Sequence, residues 1–263
     1  MDHWTEPSVE WHSVTDCAVQ HQRLAAHGEL VATWPATAFE ETGTDCYRVG
    51  EEYWIWQVGV GGVRFVEDYP RFLAFPSTRV DRASFEYLIT HSWLPVLYQF
   101  WGRQVLHASA VARSATGEVV AFAGPSHAGK STTAYGLGQR CGWTLLCDDT
   151  LAFSSDTDGI TLHRLPNEAR LRPASAAYYR RTHAVAEPVR WPAQPLRLTA
   201  VFFLQGDPSL PHPALITRLR ASEAYPLLLE QAHALTLKFP KHNHRLMRDD
   251  LDLAAAAPAF QLA

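Results

Sequence analysis

Lysine is scarce in this chain. Only Lys130, Lys238 and Lys241 occur among 263 residues, so arginine supplies nearly all the positive charge. With a net charge of −4 and an isoelectric point near 6.3, there is no overall positive field to draw in nucleic acid or an acidic membrane. No run approaches the roughly 18 uninterrupted apolar residues that a membrane helix needs. The opening MDHWTEPSVEWH has no basic stretch leading into an apolar segment, so no signal peptide is expected. The four cysteines (Cys17, Cys46, Cys141 and Cys147) form no CxxC pair and no metal-ligand spacing. They read as reduced thiols of a cytoplasmic protein. The expected partners therefore include neither nucleic acid nor membrane.

Apolar residues make up 47% of the chain, ample for a core. The first hundred residues read as a small β-rich N-terminal lobe with a connecting helix. YWIWQVGVGGVRFVED (53–68) has the pattern of a hairpin turning at Gly61-Gly62. DRASFEYLITHSWL (81–94) switches to helical spacing, with Asp81 or Ser84 as a cap and Pro95 as its end or kink. Residues 101–263 form the second region. There QVLHASAVA and EVVAFAG read as strands joined by the turn residues RSATG, followed by a loop, a helix ending near Gly142, and the strand WTLLC. A hairpin around 156–159, a strand at LTAVFFL, a helix around Pro226 and a last strand at APAFQL complete the α/β pattern.

The loop GPSHAGKSTT carries the chemistry. Gly124, Pro125, Ser126, His127, Ala128, Gly129, Lys130 and Ser131 fit G-x-x-x-x-G-K-[ST], with Thr132 next in line. Glycines let successive backbone N–H groups turn inward as an anion nest, and a helix N-terminus behind them adds its positive end. Lys130 then neutralises β- and γ-phosphates, and Ser131 places its hydroxyl on Mg²⁺. The expected ligands are a nucleoside triphosphate, ATP, and Mg²⁺. Position 127 in the middle of the loop is permissive, so His127 faces either a phosphate or solvent.

Asp148 and Asp149 follow at the end of an apolar strand, where such proteins keep the acid that organises Mg²⁺. One Asp suffices for a metal, so a second one suits a general base for an attacking hydroxyl. Asp148 is assigned to the metal and Asp149 to the base, with the exchanged assignment left open. If 106–113 and 118–124 pair through the turn 114–117, His107 falls opposite Gly124 at the mouth of the loop. There it can orient or polarise an Asp. Seven arginines lie between 164 and 197, of which Arg170 and Arg172 are the preferred phosphate-side pair. Lys238, Lys241, His242 and Arg245 form a second cationic cluster with no assignable role.

In order, LHASAV, a short hairpin, GPSHAGKSTT, a helix, LLCDD and AVFFL resemble the HPr kinase-like group of P-loop proteins. That group includes the HPr serine kinase/phosphorylase and smaller relatives such as lasso-peptide kinases. The resemblance implies an α/β P-loop core related to the phosphoenolpyruvate carboxykinases. It implies an active-site role for His107, phosphate and Mg²⁺ roles for Lys130 and Ser131, and an acidic pair in Asp148 and Asp149. The chemistry implied is phosphoryl transfer from ATP to a serine-type hydroxyl, and the HPr enzymes are homo-oligomers. His127 stands where the family usually carries Gly, and the long glycine- and asparagine-containing signature of the HPr enzyme proper is missing after the acidic pair. The acceptor expected is therefore another peptide or protein, or a small hydroxyl compound. The other readings are an NTPase switch controlling a partner and a non-catalytic nucleotide-binding module.

Overall fold

The computed structural model describes residues 7–262 except 15, 36–41, 68, 141, 158, 167, 172, 180–185, 189–190, 193–195, 206–214 and 233–239. The chain divides into two compact units, Met1–Gly102 with Leu235–Asn243, and Arg103–Ala234 with His244–Ala263.

The first unit is built on a six-stranded sheet. Its strands are β1 (Ser8–Trp11), β2 (Glu29–Trp34), β3 (Thr44–Val49), β4 (Glu52–Gln57), β5 (Gly61–Val66) and β6 (Tyr69–Pro76), in the order β1-β6-β5-β4-β3-β2. Helix α1 (Cys17–His27) starts at Asp16, whose carboxylate accepts from the backbone N–H groups of Ala18 and Val19. Gly61 and Gly62 are not the hairpin turn. Gln57 pairs with Gly61, and the turn is residues 58–60. The glycines serve packing instead, because a Cβ on Gly62 would lie 2.3 Å from the Trp56 ring and one on Gly61 would lie 2.1 Å from the Phe75 carbonyl.

Asp81 caps α2 (Arg82–Leu88) by accepting from the Ser84 N–H. Pro95 does not end the helical run. A π-helical turn, Ile89–Trp93, leads into α3 (Leu94–Phe100), with Pro95 in the first turn of α3. His242 is buried, packs tilted against the Phe100 ring and pairs with Glu67 at 3.1 Å, so it belongs to no exposed cationic cluster. Lys238 lies outside the described residues.

The second unit holds β7 (Gln104–Leu106), β8 (Ala108–Arg113), β9 (Glu118–Ala123), α4 (Lys130–Arg140), β10 (Trp143–Cys147), β11 (Leu151–Asp156) and β12 (Gly159–His163). It continues with β13 (Glu168–Arg170), α5 (Pro173–Tyr178), β14 (Ala186–Pro188), β15 (Arg197–Leu204), β16 (Ile216–Leu219), α6 (Ala221–Gln231), the part of α7 (Pro240–Ala256) from His244 on, and β17 (Ala259–Leu262). The result is a mixed α/β unit with several sheets. The main one runs β10-β8-β9-β15-β17-β16, beside a three-stranded sheet β12-β11-β7 and the pair β13-β14. Strands β9, β15 and β17 are mutually parallel, while β8, β10 and β16 run antiparallel to their neighbours.

Alternation along the strands separates two cores. Val111 and Phe122 face α4, packing with Ala134 and Leu204. Ala110, Ala112, Ala121 and Ala123 face the other side, where their small side chains leave room for Leu228 of α6 and Leu253 of α7. Helix α7 was not foreseen in the sequence, although Leu246, Asp250 and Leu253, all buried, recur at helical spacing.

Candidate functional site

Strand direction brings the site together. The register pairs Ala108 with Ala123 and Cys147 with Ala110. The C-terminal ends of β9 and β10 and the N-terminal end of β8 therefore lie at one edge of the sheet. That edge is also the carboxyl end of the parallel strands β9 and β15, where ligand crevices of α/β sheets form. The loop 124–129, His107 and the two aspartates all sit there.

Gly124 leaves β9 with φ +142°, and a Cβ on it would meet the Leu204 carbonyl at 2.6 Å. Only glycine fits that conformation and that approach. His127 (φ +71°) and Gly129 (φ +96°) are also left-handed, and His127 is exposed. A non-glycine residue held in this region stores about 1–3 kcal/mol of strain, which clusters at ligand sites. Pro125 and Ser126 are exposed, and Ala128 donates its N–H to the Pro125 carbonyl at 3.2 Å. Lys130 opens α4. Its side chain is 6% exposed and folds back, Nζ donating to the Gly124 carbonyl at 2.8 Å and to the Pro125 carbonyl at 3.1 Å. The ammonium thus lies within the curl of the loop. Ser131 is half-buried on the first turn of α4.

Thr132 points elsewhere. Its hydroxyl lies 2.6 Å from that of Ser175, and its carbonyl accepts from the Tyr179 hydroxyl at 2.8 Å. Gly136 makes that docking feasible, since a Cβ there would lie 2.1 Å from the Tyr179 oxygen. The segment that begins with α5 is thereby held against α4. Arg170 ends β13, opposite Ala186. Its partner in the sequence expectation, Arg172, lies outside the described residues.

Between β7 and β8, and again between β10 and β11, the chain crosses from one sheet to another. β8 pairs with β10 in the main sheet, and β7 pairs with β11 in the small one. The sequence reading of 104–112 as one continuous strand is therefore corrected: His107 is the bend between two strands. The count that pairs Cys147 with Ala110 and Leu151 with Leu106 runs unbroken through the crossing, which puts Asp148 across from Ser109.

The aspartates end in different environments. Asp148 is buried and accepts a hydrogen bond at 2.7 Å from the hydroxyl of fully buried Ser109. Asp149 turns the chain with φ +68°, which sends its side chain outward, 69% exposed. Its Oδ1 lies 2.8 Å from His107 Nε2. The His107 backbone is fixed in turn by its N–H, which donates to the Gln231 carbonyl of α6 at 2.7 Å. Cys147 beneath the pair is buried, and burial together with the neighbouring Asp148 pushes its thiol well above the usual range. That removes it as a nucleophile.

Sequence reasoning missed Ser109, the Gln231 carbonyl, Ser175 and Tyr179. Ser109 had a signal: a lone hydroxyl in the otherwise apolar strand ASAVA, which burial obliges to find a partner. Among the described residues, no three or more His, Cys, Asp or Glu side chains converge as a metal cage. No helix among them is long and apolar enough to cross a membrane.

No family model matches the chain, and no curated protein matches it. Among solved structures it is similar to an HPr(Ser) kinase/phosphatase from Coxiella burnetii, at 16% identity and a TM-score of 0.29, over 58% of this chain and 96% of that one. The relation is a distant one in structure.

Proposed function

We propose that this chain is a Mg²⁺-dependent kinase that transfers the γ-phosphate of ATP to a hydroxyl, a serine of a peptide or protein. The loop 124–131 is read as a P-loop, and the unit that carries it as a core of the HPr kinase/phosphoenolpyruvate carboxykinase type. The observation that carries this reading is the division of labour between adjacent carboxylates. One is buried and tethered by a hydroxyl, while the other is exposed and paired with an imidazole. A nucleotide switch needs the first kind only. An exposed Asp oriented by a histidine is what a hydroxyl acceptor needs.

The residues fit Mg²⁺. This ion dehydrates reluctantly and takes one or two protein oxygens plus phosphates and water, so it requires no cage of carboxylates. Asp148 and the Ser131 hydroxyl would hold it, and it would supply neutralisation of charge on the phosphate oxygens. On nucleotide binding, Lys130 exchanges its two loop carbonyls for β- and γ-phosphate oxygens. The loop amides and the start of α4 take the remaining negative charge. Asp149, oriented by His107, accepts the proton of the acceptor hydroxyl. The hydroxyl oxygen then forms its bond to the γ-phosphorus as the bond to the β,γ-bridging oxygen breaks, and ADP leaves.

The test is incubation of the full chain with Mg²⁺ and γ-labelled ATP, alone and with peptides encoded beside its gene, using Lys130→Ala as the blank. Label moving onto a serine or threonine, and lost in the blank, is the expected result. Release of free phosphate alone would replace the kinase reading with a nucleotide switch. Tight ATP binding with neither hydrolysis nor transfer would leave a binding module.

A further inference from the structure

Strand β8 contains one polar side chain at a position where nothing polar is needed for the fold. Ala108, Ala110, Val111 and Ala112 around Ser109 are fully buried and apolar, and Ser109 itself is fully buried. A hydroxyl taken out of water without a partner is destabilising by about 1–3 kcal/mol on the scale of protein mutations. An alanine here would continue the strand without that liability. The Ser109 hydroxyl instead spends its only proton on Oδ1 of Asp148, at 2.7 Å. Asp148 is the first residue past the paired Cys147 and Ala110, beyond the β10–β8 register shift between Leu145 and Cys147, so the end of the ladder brings it beside Ser109.

We infer that Ser109 is a positioning residue for the metal: it fixes the rotamer of Asp148, so that this carboxylate meets Mg²⁺–nucleotide already oriented. The inference rests on the nucleotide reading of the site. Ser109 touches neither nucleotide nor acceptor and acts through Asp148 alone. It distinguishes the two carboxylates: Asp148 is buried and bonded to a buried hydroxyl, while Asp149 is largely exposed and pairs with His107. Outer partners of this kind typically alter metal affinity by about 10–100-fold when removed.

The test measures metal binding directly, with no turnover. Mn²⁺ is titrated by electron paramagnetic resonance into the full chain holding a non-hydrolysable ATP analogue, for wild type, Ser109→Ala and Ser109→Thr. Metal-free binding of the analogue and thermal stability are followed in parallel. The expected result for Ser109→Ala is Mn²⁺ affinity weakened about 10–100-fold, with metal-free analogue affinity within about twofold of wild type. Ser109→Thr, which keeps the hydroxyl, recovers most of the loss. Should the alanine variant not fold, Ser109→Cys, close in size but a weaker donor, is expected to give an intermediate Mn²⁺ affinity. Wild-type Mn²⁺ affinity in the alanine or cysteine variant overturns the assignment and leaves the nucleotide reading intact. Parallel loss of metal-free and Mn²⁺-dependent binding also overturns it, in favour of a merely structural serine. Failure of the wild type to bind the analogue at all overturns the nucleotide reading, and this assignment with it.

Discussion

Asp149 Oδ1 and His107 Nε2 lie 2.8 Å apart although 42 residues separate them in the chain. Two antiparallel segments produce this meeting by leaving one sheet for another at the same place. A structural ion pair would gain little here, because Asp149 is largely exposed and surface pairs contribute about 0–1 kcal/mol. The pair therefore suits orientation better than stability. Asp149→Asn is expected to lower phosphoryl transfer by about 10²–10⁴-fold, the range for a lost general base. Nucleotide affinity and melting temperature should stay near wild type. His107→Gln should cost less than Asp149→Asn, since it removes an orienting partner and leaves the base. Transfer kinetics on the three proteins check both statements, and undiminished transfer by Asp149→Asn would remove Asp149 as the base.

Lys130 makes a different prediction. In this structure its ammonium rests on the Gly124 and Pro125 carbonyls, which are neutral acceptors. Phosphate oxygens are charged ones, and charge-assisted hydrogen bonds are roughly twice as strong. Lys130→Ala should therefore weaken ATP more than adenosine, by at least about 10-fold in the ratio of their dissociation constants. Calorimetry with the two ligands reads that ratio. An equal loss for both would mean that Lys130 shapes the loop without meeting phosphate.

Much of this site was legible in the sequence because its parts are local or follow from register. The loop is a contiguous motif, and the hairpin count that put His107 opposite Gly124 agrees with the observed pairing of Ala108 with Ala123. What was not legible depends on chain segments distant from the motif. The carbonyl of Gln231 that holds His107 comes from the end of α6, and the Tyr179 hydroxyl that reaches Thr132 from the turn after α5, and no spacing rule encodes the docking of either. The Gly61-Gly62 error has a similar origin. Two glycines read as a turn, but the packing of Trp56 and the Phe75 backbone requires them inside a strand. Helix α7 was hidden because HNHRLMRDD reads as a run of surface charge, while burial claims Leu246, Asp249 and Asp250.

The glycines of the loop and of α4 should differ in tolerance. Gly124→Ala meets the Leu204 backbone at 2.6 Å and is also forced to φ +142°, so neither relief nor rotation is open to it. A loss of about 2–4 kcal/mol is expected, with disruption of the loop. Gly129→Ala has open space around its Cβ and only the strain of φ +96°, about 1 kcal/mol. Gly136→Ala instead pushes against the end of a side chain, the Tyr179 hydroxyl. Adding Tyr179→Phe to Gly136→Ala should recover part of the lost stability, because the clashing oxygen is gone. Urea unfolding of the single and double variants tests the order Gly124 > Gly129 and the coupling of Gly136 to Tyr179.

Asp250 gives a prediction about pH. It is fully buried on α7, where Gln104 Nε2 donates to its Oδ2 at 2.6 Å and its Oδ1 has no hydrogen-bond partner among the described residues. Burial pushes its carboxyl up to about 7, with Gln104 pulling down and the adjacent Asp249 pushing further up. Asp249 is pushed up to about 6, chiefly by burial, against the Ser155 backbone N–H and the charges of Arg245 and Arg248. A carboxyl raised in the folded state holds its proton where the unfolded chain has lost it. Stability from this source is complete below the ordinary carboxylate range, near pH 4, and is lost as pH rises through about 6 and 7. Asp250→Asn keeps the acceptor for Gln104 and removes the charge. Its melting temperature should match wild type only below about pH 4, already exceed it at pH 5, and gain a further margin equivalent to about 1–3 kcal/mol between pH 5 and pH 8. The comparison is a pair of melting curves across that interval. If the two proteins lose stability in parallel from pH 5 to 8, the proton is not on Asp250, and Asp249→Asn becomes the variant to measure.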